Sequence, residues 1–119
     1  MINTILNTAL ALDGISYNIL TGEANPDTGY MVSLADREKR VDELTAKAIS
    51  NYISDNMRHL TLGRTFFGVW KDGDWVLDVS VNIPDLESAI SAGFLNQQLA
   101  IWDCANGKAI FLDQYKLAI

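Results

Sequence analysis

The sequence holds one cysteine and one histidine in 119 residues, Cys104 and His59. A lone cysteine forms neither an internal disulfide nor a cysteine-rich metal cage, and a lone histidine excludes a histidine-pair metal site. No apolar run reaches the roughly 18 residues that a membrane span needs. The opening MINTILNTALALDG lacks the basic n-region of a secretory signal, and a reducing, cytoplasmic compartment is expected. Neither GxxxxGK(S/T) nor GxGxxG occurs, and Gly22 and Gly29 stand alone, so nucleotide binding has no local support.

Basic residues are also short, nine against fifteen acidic, for a net charge of -6. Such a field repels phosphate backbones and anionic lipid, so neither a nucleic-acid nor a membrane partner is expected. Mimicry of nucleic acid needs like charges massed on one face, whereas here they run from Asp13 to Asp113 with basic residues between them. Asp72, Asp74 and Asp78 are spaced like fragments of a calcium loop, but such a loop needs about five oxygen ligands in roughly twelve residues, closed by a bidentate Glu. No metal or cofactor is expected. His59 reads as a surface or helix-capping residue and Cys104 as a small packed side chain, so no catalytic residue is assigned.

What the chain does have is ordinary globular chemistry. Hydrophobic residues make up 49% and charged residues 20%, enough for a single domain over residues 1–119 with one core. Ile2, Ile5, Leu6, Ala9 and Leu10 share a helical face, predicting a helix over Ile2–Leu12 that stops at Gly14. Leu44, Ala48, Ile49, Tyr52, Ile53 and Met57 recur at three and four, predicting an amphipathic helix over Val41–Met57. Pro84, Asp85 and Glu87 suit the start of a third helix, Pro84–Leu95, with Leu86, Ala89, Ile90 and Gly93 inward.

Three hairpins are expected, at about Ser16–Leu34, Thr65–Ile83 and Leu99–Leu112. In the first and last, Asn18 and Asp103 stand four positions before Gly22 and Gly107, where a short polar side chain can bind turn N–H groups while the glycine turns left-handed. In the middle one, Asp72-Gly73 suits a two-residue primed turn. Pairing Lys71 with Asp74 would set Trp70 against Trp75, Gly68 against Leu77 and Phe66 against Val79 on the core face, with Val76, Asp78, Ser80 and Asn82 towards water. The fold class is therefore α+β, a largely antiparallel sheet with helices packed on one face and the other left wet or free for a partner.

Trp70 and Trp75 read either as a cross-strand core pair or as an exposed aromatic platform. With Asp72 and Asp74 beside them, Glu23 and Asp27 in a loop longer than a minimal turn requires, and Tyr30 at the start of the strand that follows, they form the candidate interaction surface.

The blocks GEANPDTGYMVSL, FFGVWKDGDWVLDVSVNI and NQQLAIWDCANGKAIFL, in that order and together about half the chain, resemble a group of small uncharacterised proteins of bacteriophages and bacterial mobile elements. The group carries no assigned activity or site. The resemblance implies only a setting, that of an accessory protein in a bacterial host cytoplasm. The function expected is non-enzymatic binding of a host or phage protein, as a modulator or inhibitor. The alternatives are a homo-oligomeric structural component, with an edge such as Leu112–Ile119 as its interface, and a small-molecule binder.

Overall fold

The computed structural model describes residues 1–116. Asp72, Gly73 and Asp74 reverse the chain between its two longest strands, β4 (Thr65–Asp72) and β5 (Asp74–Ile83), with Gly73 at φ 70°. The other elements are α1 (Ile2–Leu12), β1 (Gly14–Tyr17), β2 (Tyr30–Ser33), β3 (Lys39–Val41), α2 (Ala46–Asp55), α3 (Met57–Leu60), α4 (Leu86–Leu95), β6 (Ala100–Asp103) and β7 (Lys108–Phe111). Among the described residues the seven strands make one antiparallel sheet in the order β1-β4-β5-β2-β6-β7, with β3 against β5. The fold is α+β.

The register of β4 on β5 differs from the expected one by a single residue. Trp70 lies opposite Val76, Gly68 opposite Asp78 and Phe66 opposite Ser80, while Lys71 faces Trp75. One extra residue in the turn changes every cross-strand partner and sends β4's other set of side chains to the core face. Phe67 and Val69 therefore join Trp75, Leu77 and Val79 beneath α1 and α2, where they pack with Ile5, Ile49, Tyr52 and Ile53. Tyr52 anchors this layer twice, its ring 5.6 Å from that of Phe67 and its hydroxyl donating to the Arg37 carbonyl at 2.6 Å. A second apolar group, Val32, Ala89, Ile101 and Leu112, lies under α4. Strand register places both groups on the same side of the sheet.

Helix bounds follow their caps. The Thr45 hydroxyl accepts the Ala48 N–H and the Asp85 carboxylate accepts the Ser88 N–H, so α2 and α4 begin later than apolar periodicity alone suggests. Lys39–Val41 is strand β3, so Val41, expected to begin the second helix, lies in the sheet. At the end of α1 it is Asp13, at φ 61°, that turns left-handed, and Leu10 and Met57 prove exposed rather than inward. The hairpin expected over Ser16–Leu34 does not form. β1 and β2 flank the β4–β5 pair on opposite sides, so the segment between them spans two strands. The Asn18 turn is present nonetheless. Its side-chain oxygen accepts the N–H groups of Leu20 and Thr21, and Gly22 sits at φ 78°. The β6–β7 hairpin has its expected chemistry too, with Asn106 donating to Asp103 and Gly107 at φ 62°. Leu112–Tyr115 is a turn of 3-10 helix rather than an edge strand, and residues 117–119 of that expected edge lie outside the described residues.

Candidate functional site

With the helices gathered on one side, the opposite side of the sheet carries Ser16, Phe66, Gly68, Trp70, Val76, Asp78, Ser80, Asn82, Met31, Ser33 and Trp102. Val76, Asp78, Ser80 and Asn82 were expected to face water, yet all four are buried, as are Phe66 and Met31 on the same face. The crossing segment explains one end of that burial. Asn82 donates to the Thr28 carbonyl, Glu23 pairs with Arg64 at 3.0 Å, and the Arg64 guanidinium stands 5.4 Å from the Phe66 ring centre. The segment thus closes the face over Phe66 and Asn82.

Beyond it lies a groove of about 590 Å³, with Asn25 and Met31 on the side of that segment, Trp70 and Trp102 as its aromatic surfaces, and Asp78 inside. Asp78 is 2% exposed. Its Oδ2 accepts the Ser33 hydroxyl at 2.5 Å, and the Ser80 hydroxyl lies 3.3 Å from Oδ2 and 3.4 Å from Oδ1. Burial pushes the carboxyl up to about 6, the two serine hydroxyls pull against it, and Glu38 adds a small repulsion. No lysine, arginine or histidine is among the described residues lining the groove.

Two sequence features create this position. Gly68, directly across from Asp78, has no side chain, and a Cβ there would collide with Asp78 Oδ1 while lying 3.8 Å from Trp70 Cζ3. On the other flank, β2 pairs with β5 only as far as Ser80 and β3 only from Leu77, so Asp78 stands at the break between them.

The residues expected to form one interaction surface are distributed. Trp70 reaches the groove at 37% exposure, whereas Trp75 is 6% exposed in the helix-covered core, with the Lys71 ammonium 4.9 Å from its ring centre. A platform built on both tryptophans is thereby excluded. Asp72 and Asp74 sit at the hairpin tip, Asp72 held by Arg40 at 2.9 Å. Asp27 is exposed in the crossing segment, and Tyr30 is half buried on the helix side. Sequence reasoning missed Asp78 and Trp102 as site residues. A glycine flanked by large residues in a strand signals close approach by a neighbour, and that was the available clue to Asp78.

No family model, curated protein or solved structure matches the chain.

The groove's described lining contains Ser16, Ser33 and Ser80 but no histidine, cysteine, lysine or tyrosine. Cys104 lies outside it, and burial raises its thiol pKa, away from the reactive thiolate. Among the described residues no three His, Cys, Asp or Glu side chains gather as metal ligands.

Proposed function

We propose that this protein is a non-enzymatic binding module that docks another protein on the uncovered face of its sheet, acting in a bacterial cytoplasm as a phage or mobile-element accessory. The observation that carries this reading is the groove of about 590 Å³ on the helix-free face, with exposed tryptophan at its rim and a buried carboxylate within. Tryptophan at a half-open rim offers large, rigid contact area, and such residues dominate interface energetics. A net charge of -6 supports a partner whose docking surface is basic. No helix among the described residues is long and apolar enough to cross a membrane.

A photo-crosslinking amino acid at Trp102 or Ala109, both exposed beside the groove, and at Lys47 or Ser50 on the exposed side of α2, tests the reading in bacterial lysate. Docking on the groove gives a discrete protein adduct from positions 102 and 109 and none from 47 and 50. Adducts from α2 alone, or equally from both sides, contradict it. A second reading, small-molecule binding, is favoured by one observation, since the groove volume lies within the roughly 300–1,000 Å³ typical of ligand sites. A small molecule retained through purification and absent after groove substitution favours that reading.

A further inference from the structure

Within the groove, the space beside Gly68 is bounded by Trp70 and Asp78. On one side Trp70 Cζ3 comes within 3.8 Å of where a residue-68 side chain would begin, and on the other Asp78 Oδ1 occupies the same missing volume. Oδ2 is engaged by Ser33 at 2.5 Å, whereas Oδ1 has only the 3.4 Å contact from Ser80. A carboxylate has about four acceptor sites, so Oδ1 keeps the capacity to take a further donor from the groove.

We propose that this space receives one lysine or arginine side chain of the docked protein, with its cationic head on Asp78 Oδ1 and its alkyl stem along Trp70. The inference rests on the docking reading and specifies what that reading leaves open, the chemistry of the partner residue. Three features select this occupant. A buried carboxylate without a cation nearby is costly, and an incoming cation offsets that cost. The Trp70 ring beside it suits an organic cation with a methylene stem. A hard metal ion needs about six oxygen ligands, whereas the space offers one carboxylate and two serine hydroxyls. Asp13, also lining the groove, adds charge of the same sign.

The test uses the full chain and three probes, the Nα-acetyl methylamides of lysine, arginine and norleucine, followed by NMR of the tryptophan indole N–H and aspartate side-chain carbons. The lysine and arginine probes should shift the Trp70 and Asp78 signals with Kd on the order of millimolar, as fits one side chain without its surrounding interface. Norleucine should shift neither. Asp78→Asn, nearly isosteric, should keep the dispersed spectrum of the folded protein and weaken both cationic probes about tenfold or more. Trp70→Ala gives the same reading at a partly exposed position should Asp78→Asn fail to fold. An equal response to norleucine, or unchanged binding in the folded variants, overturns the cation site and leaves docking on this face standing. Binding of the cationic probes with crosslinks confined to α2 overturns the docking reading and leaves the cation site standing.

Discussion

Asp78 owes its position to three neighbours, each small or polar. Gly68 gives it room, and Ser33 and Ser80 give it donors. The donors only partly offset burial, which raises its pKa from 3.8 to about 6, a difference equivalent to about 3 kcal/mol. Since the folded value lies above the unfolded one, this contribution to stability is fully present below pH 3.8 and is lost as pH rises through about 6. Glu38 acts in the same direction as burial. Asp78→Asn is neutral at every pH, so in urea denaturation it should exceed the parent by about 1–3 kcal/mol at pH 8, with the gap closing towards pH 4. Parallel stability curves for the two proteins contradict the raised pKa. A substitution that stabilises the fold and removes the cation contact would mark Asp78 as kept for binding. At Asn18, 3% exposed, loss of the side chain strands the Leu20 and Thr21 N–H groups, and Asn18→Ala should cost about 1–3 kcal/mol by the same assay.

At the scale of elements, the β4–β5 turn shows what the sequence disclosed and what it withheld. Asp72-Gly73 announces a reversal, but two-residue and three-residue turns both accept it, and they differ by the one residue that sets register. Periodicity did not arbitrate, because β4 has aromatic residues on both faces: Phe66 under the crossing segment and Phe67 under α2. For the same reason β5 is buried on both faces from Trp75 to Ser80, and the alternation expected of a half-wet strand is absent. The tryptophans report the register directly. Trp75→Ala removes a core side chain and should cost about 3–5 kcal/mol, whereas Trp70→Ala at the groove should cost about 1 kcal/mol or less, both read from thermal or urea unfolding. Equal costs contradict the register. α1 was legible from apolar spacing without a side-chain cap, whereas the two later helices were begun too early because their caps, Thr45 and Asp85, come late. β3 escaped notice because Lys39 and Arg40 are poor strand formers in isolation, and pairing with β5 decides their conformation. The first hairpin was misjudged because a correct local turn at Asn18 carries no information on which strand lies beside β1.

For the molecule as a whole, placing the helices of the described residues on one side leaves a sheet surface that the chain covers only in part. The crossing segment from Asn18 to Gly29 shelters one end and stops at the groove. This division was foreseeable from composition and helix periodicity, which predicted helices on one face and a free opposite face. The site itself was not, since it depends on Gly68 meeting Asp78 across a register that differs by one residue and on β2 and β3 parting beside it. If the proposed basic partner docks on this acidic protein, its encounter rate should fall as salt screens the field. The most direct test of docking through Asp78 is quantitative capture from one bacterial lysate by immobilised parent, Asp78→Asn and Trp102→Glu proteins. A stoichiometric protein should be retained by the parent and lost from both variants. Equal retention by all three would contradict docking through Asp78.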